Sequence, residues 1–172
     1  MAAIGTALKK RSDKVAFYGI TTGVGESATT TYHRMRGFTD LSHSKNPQEY
    51  ERQYIDEESS QTDVTGYSPS YGFAFDSYAG NAVHEDIAAI FDSEKTGSDA
   101  VRSIIVVDMT EDGTAEGSKK AIKRDYAVIP DAEGDGTDAY TYSGNLKSKG
   151  DKAFVDVESS DDWMTATVAA GV

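Results

Sequence analysis

The sequence predicts a mainly β chain carrying one α-helix, and three observations predict it. Residues 101–109 and 120–130 are two long β-type runs joined by a Gly-rich acidic turn, the first of them apolar on both faces around Ile104, Ile105, Val106 and Val107. Tyr71, Phe73 and Phe75 alternate with Gly72, Ala74 and Asp76, the period-two pattern of a strand with one buried face. A single stretch switches to helical spacing, with Val83, Ile87, Ile90 and Phe91 at i, i+4, i+7 and i+8.

Taken in order, residues 1–14 read as an amino-terminal arm. Their apolar stretch is no longer than residues 2–8, and the positive charges follow it rather than precede it, which is not the layout of a signal peptide. Val15-Ala16-Phe17-Tyr18-Gly19 is expected as a short edge strand ended by the glycine cluster of residues 19–25. Residues 29–38 are β-branched and aromatic, which favours another strand, and Asn46-Pro47 then interrupts the chain.

Residues 46–69 are expected as a long loop. They carry Tyr50, Tyr54, Ile55 and Tyr67 among acids and hydroxyls, too polar for a core element and too aromatic for an idle linker. Tyrosine is favoured where a surface becomes an interface, so Tyr50, Tyr54, Ile55, Tyr67 and Pro69 are candidate contact residues, with Trp163 as a further one. A helix over about residues 81–95 follows, with Asn81 as N-cap, Glu85 and Asp86 at the positive end of its dipole, and Lys95 and Gly97 closing it.

The run of residues 101–109 should be a central strand and its partner should end at Pro130. After the acidic turn of residues 131–138, two further strands are expected, one holding Tyr140 and Tyr142 on one face and one over residues 152–157. Residues 158–172 read as a carboxyl-terminal tail, docked or used in contacts. The expected organisation is therefore an arm, one β domain over residues 15–157, and a tail.

Composition narrows the chemistry. With 17 Lys+Arg against 29 Asp+Glu in 172 residues the formal charge is −12, which disfavours nonspecific attraction to phosphate backbones or anionic lipid. Cysteine is absent, which removes disulfides, thiol nucleophiles and Cys-type metal sites. No run approaches the roughly 20 apolar residues that cross a bilayer, so a soluble protein without a membrane partner is expected.

Motifs for catalysis or cofactors are weak. The glycine cluster of residues 19–25 lacks the Lys-Ser or Lys-Thr of a phosphate loop, and no Gly-x-Ser-x-Gly turn exists. Asp131, Glu133 and Asp135 resemble the start of a calcium loop, but the bidentate acid position falls on Tyr142. His33, His43 and His84 lack zinc-site spacing and read as surface or capping residues. The expectation is a non-enzyme with no cofactor and no metal.

Several strings resemble those of the major tail protein, the tail-tube subunit of long-tailed bacteriophages with non-contractile tails. They are Tyr50-Glu51-Arg52-Gln53-Tyr54-Ile55-Asp56-Glu57, Asp63-Val64-Thr65-Gly66-Tyr67-Ser68-Pro69, Gly97-Ser98-Asp99-Ala100-Val101-Arg102, Lys123-Arg124-Asp125-Tyr126-Ala127-Val128-Ile129-Pro130 and Tyr142-Ser143-Gly144-Asn145, in that order over residues 15–157. The resemblance implies a β-sandwich or partly rolled barrel flanked by one helix. It also implies hexameric rings stacked into a hollow tube, without catalysis. By the same resemblance the loop of residues 46–69 and the termini reach neighbouring subunits, tape-measure and tail-tip or terminator proteins are partners, and DNA passes through the lumen without specific binding. The setting implied is a virion assembled in the cytoplasm of a bacterial host.

Two other readings stay open at this point. One is a monomeric β-sandwich module for carbohydrate or a cell surface, with Tyr140, Tyr142 and Trp163 as its platform. The other is a metal-dependent enzyme built on Asp131, Glu133 and Asp135.

Overall fold

The computed structural model describes residues 7–134 and 136–169. The strands are β1 (Lys14–Thr22), β2 (Thr29–Arg34), β3 (Phe38–Ser44), β4 (Pro47–Arg52), β5 (Gln61–Tyr67) and β6 (Ser70–Asp76), then β7 (Val101–Asp112), β8 (Lys119–Glu133), β9 (Thr141–Glu158) and β10 (Thr165–Val168). Helix α1 (Ala82–Asp92) lies between β6 and β7. Eight strands form one sheet in the order β10-β2-β1-β7-β8-β9-β6-β3, every described pairing in it antiparallel. β4 and β5 form a separate two-stranded hairpin.

The sheet rolls up because β10 pairs with both β2 and β9, closing a circuit through β10, β2, β1, β7, β8 and β9. One margin of β9 serves β8; the other is divided between β6, at residues 141–147, and β10, at residues 157–158. This is the mainly β architecture with one helix that the sequence predicts, and of the sandwich or partly rolled barrel that the resemblance implies it takes the rolled form.

The two faces of the sheet hold different cores. Phe17, Ile105, Val107, Ala121 and Val157 pack inside the rolled part with Tyr32 and Ala166. On the opposite face Tyr18, Phe73, Phe75, Ile104, Val128 and Leu146 pack against Val83, Ile87 and Ile90 of α1. Each of those three helical side chains is fully buried, and burial of this kind stabilises by about 1.5–3 kcal/mol per side chain. Asn81 caps the helix by accepting the Val83 and His84 N–H groups, as expected.

Several expectations are corrected. β1 is not an edge strand: it lies between β2 and β7, and residues 15–19 are buried on both faces because the rolled core and the helix claim opposite sides. Residues 29–38 are not one strand, since the chain leaves β2 and turns at Gly37, whose φ of 74° favours glycine. The helix ends earlier than Lys95 and Gly97. Glu94 takes the left-handed position at φ 48°, while the Lys95 N–H donates to the Ile90 carbonyl and the Glu94 N–H to that of Phe91, a Schellman closure.

β8 runs past Pro130 to Glu133, and the two strands expected after it are one 18-residue strand, β9. It stays continuous because β8 pairs with both halves across an irregularity opposite Lys123 and Asp125, near Gly150 with its φ of 83°. The expected long loop is the β4–β5 hairpin, and part of the expected tail is β10. Asp135 and the outermost parts of the arm and tail fall outside the described residues.

Candidate assembly interface

The β4–β5 hairpin is built to stand away from the sheet. At its base Asn46, at φ 44°, donates its side-chain amide to the Ser68 carbonyl and the Ser70 hydroxyl, while the Ser68 N–H donates to the Asn46 carbonyl. At its far end the Gln53 amide donates to the carbonyls of Glu57 and Glu58, and the Gln61 amide donates to the Glu57 carboxylate at 2.7 Å. The Thr65 hydroxyl donates to the Gln48 carbonyl and Arg52 to the Tyr50 hydroxyl. Local polar bonds hold its shape; no core does.

Its side chains are correspondingly uncovered: Tyr50 is 45%, Tyr54 49%, Ile55 109% and Tyr67 62% exposed, far above what a folded chain conceals in its interior. Val64 is exposed with them. Glu49, Glu51, Asp56, Glu57, Glu58 and Asp63 surround these residues, with Arg52 the cation of the strand pair. The result is an apolar and acidic projection.

The other sequence-predicted contact residues lie elsewhere. Pro69 is buried where the hairpin rejoins β6. Trp163 is half-buried against Phe17, ring centroids 6.4 Å apart and edge-on, within the rolled core. It is held at φ 60° by its N–H donating to Ser159 Oγ, next to Asp161, whose carboxylate accepts from the Thr165 N–H and hydroxyl. These bonds, the backbone Thr165 N–H first, keep the Asp161 carboxyl below the ordinary carboxylate range.

The aromatic platform of the carbohydrate reading is not assembled. Tyr142 is buried in the helix-side core, Trp163 belongs to the opposite core, and only Tyr140 is exposed. Among the described residues no group of three or more His, Cys, Asp or Glu is gathered as a metal site. No described helix is long and apolar enough to cross a membrane.

Two polar clusters hidden from sequence reading are structural. Tyr18 donates its hydroxyl to Asp86 at 2.7 Å, and Arg102 grips the same carboxylate through Nε at 2.8 Å and Nη2 at 3.1 Å, tying α1 to β1 and β7. Burial, and then the Asp86 charge, raise the Tyr18 phenol well above its usual range, so it stays a donor.

His84 corrects the expectation of a surface or capping histidine. It is fully buried and stacked on Phe75 at 4.2 Å, with Nε2 donating to the Arg36 carbonyl at 2.9 Å and Nδ1 accepting the Tyr78 N–H at 3.2 Å. Burial lowers its proton affinity, and the neutral ring satisfies both partners.

A second surface lies beside the hairpin base. Lys14, His43, Lys45, Arg124 and Lys152 rim a groove of about 580 Å³ with an apolar floor that includes Val106 and Ile122. These residues, four cations and a histidine, come from β1, from β3 and the turn after it, and from β8 and β9, so only the sheet register brings them together. Sequence offers almost no signal for it.

No protein-family model matches the chain, and no curated protein matches it in sequence. Solved structures do match its fold. One is a chain of the virion of a native gene transfer agent particle, with a TM-score of 0.52 at 12% identity, covering 86% of this chain and 98% of that one. Another is a chain of the tail of an empty gene transfer agent particle obtained by helical refinement with C6 symmetry, with a TM-score of 0.53 at 13% identity and the same coverage. At these identities the likeness is one of fold, and it spans nearly the whole of both solved chains.

Proposed function

We propose that this chain is a structural tail-tube subunit of a phage-like particle. Copies associate into hexameric rings, and the rings stack into a tube that conducts DNA. The observation that carries this reading is the β4–β5 hairpin, which exposes Tyr50, Tyr54, Ile55 and Tyr67 outside every core of the monomer. Surfaces of this kind exist to be covered by a partner, and symmetric self-association is the simplest way to cover them.

The fold shared with gene transfer agent tail and virion chains, one of them solved with C6 symmetry, supports the same reading. Among the described residues the outer margin of β3 at the end of the sheet is unpaired, which gives neighbouring subunits an edge to pair with. The net charge of −12 suits a wall past which DNA slides without sticking. On this reading the location is the virion, after assembly in the host cytoplasm, and tape-measure and tail-tip or terminator proteins are further partners.

Negative-stain microscopy of concentrated protein tests the proposal. Sixfold rings or tubes are expected. Protein that stays monomeric under every assembly condition overturns it.

A further inference from the structure

The groove and the hairpin tip are complementary in chemistry but cannot meet within one chain. In the groove, Lys14, Lys45, Arg124 and Lys152 have no carboxylate within ion-pair distance among the described residues, although the protein carries 29 acids. Arg124 Nε is buried without a hydrogen-bond partner. Lys45 loses proton affinity to burial first and then to Lys152, Arg124 and Lys14, as the convergence of four positive charges entails.

The apolar floor continues outward along the same sheet face. Ile122 is 40% exposed, and its register partner Phe154 is 75% exposed beneath the Lys152 ammonium. Unpaired cations around uncovered apolar surface call for a ligand that is both acidic and apolar. The hairpin tip, Tyr54-Ile55-Asp56-Glu57-Glu58, is such a segment.

The tip cannot fill its own groove. Tyr67 and Pro69, at the hairpin base, line that groove, and the six residues of β4 rise by about 3.3 Å each, which sets the tip roughly 20 Å away. We propose that the groove of one subunit is the acceptor for the hairpin tip of a second copy of the chain. Ile55 and Tyr54 settle over Val106, Ile122 and Phe154, and Asp56 and Glu58 meet Lys45 and Lys152. The inference rests on the self-assembly reading and names the surface that reading leaves unassigned.

Charge reversal on each side tests it. Lys45→Glu/Lys152→Glu and, separately, Asp56→Lys/Glu58→Lys are expected to keep the wild-type melting temperature as monomers and to raise the concentration needed for rings at least tenfold. Combining all four changes in one chain, or mixing the two variants, is expected to bring that threshold back to within about threefold of wild type. Wild-type rings accompanied by unaffected assembly of either charge-reversed variant overturn the docking while leaving the tube reading intact. So does a combined variant and mixture that stay as impaired as the separate variants. Wild-type protein that never forms rings overturns both. Duplex DNA binding by wild type, lost in Lys45→Glu/Lys152→Glu with ring formation unchanged, assigns the groove to a polyanion and overturns the docking alone.

Discussion

The hairpin of residues 47–67 and the segment of residues 159–168 both place aromatic side chains among acids, and the fold treats them in opposite ways. The latter is drawn inward: Trp163 lies on Phe17, Asp161 and Ser159 fix the turn, and β10 completes the rolled sheet. The hairpin is left outside, stabilised by its own strand pairing and by polar bonds at each end. Trp163 is thus part of the monomer's interior, while Tyr50, Tyr54 and Tyr67 of the hairpin are left uncovered.

Breaking the inward segment has the largest expected effect. Trp163→Ala removes a half-buried indole from the rolled core and is expected to cost about 2–3 kcal/mol, below the range for fully buried aromatics, read by urea denaturation. A change under about 0.5 kcal/mol would place Trp163 among the uncovered aromatics and erase the contrast.

A graded loss follows from His84. Its folded proton affinity is depressed, so the stability it contributes is complete above its ordinary value of 6.5 and declines as the pH falls below it, because the unfolded chain then binds the proton more readily. Denaturation at pH 7.5 and pH 5 is expected to show lower stability in acid. His43, also depressed, by desolvation and then by Lys45 and Arg124, has the same sign, but it is exposed where His84 is fully buried, so His43→Gln should retain most of the decline. Loss of the decline in that variant would reassign the effect to the groove.

Asn46→Ala tests how independent the hairpin is. Losing the left-handed Asn and its two side-chain bonds is expected to cost about 1 kcal/mol, and to do so locally. Hydrogen exchange should quicken in residues 47–67 and stay unchanged in β7 and β8; faster exchange across the sheet would mean that the hairpin supports the core. The smallest effect on stability belongs to Tyr54→Ala with Tyr67→Ala, expected within about 0.5 kcal/mol of wild type. The same pair should impair assembly, and a lowered melting temperature would show that these tyrosines serve the monomer.

Much of this arrangement is legible in the sequence where one chemical pattern maps to one local structure. The alternation of Tyr71, Phe73 and Phe75 appears as a strand with those rings buried, and Asn81 caps the helix as its residue type predicts. The polar, aromatic stretch of residues 46–69 is exposed up to the buried Pro69, as its composition implies, but its strands escape notice because they bury no face and so carry no alternating pattern.

Features that depend on distant partners are illegible. β1 becomes interior only because β2 and β7 flank it, and the cationic groove exists only because β8 and β9 set Arg124 near Lys152. Trp163 reads as a surface residue until Phe17, far back in the chain, is folded beneath it.

The closing strand carries a consequence for the order of events during synthesis. Among the described residues β10 is the last strand in chain order, and until residues 165–168 emerge, β2 and the end of β9 have unsatisfied backbone groups at the margins it covers. A chain that has not yet placed residues 165–168 is therefore held short of a finished wall. Stalled chains lacking residues 165–169 should be cleaved readily by protease near β2, whereas full-length released protein resists; equal resistance would show that the wall is finished earlier.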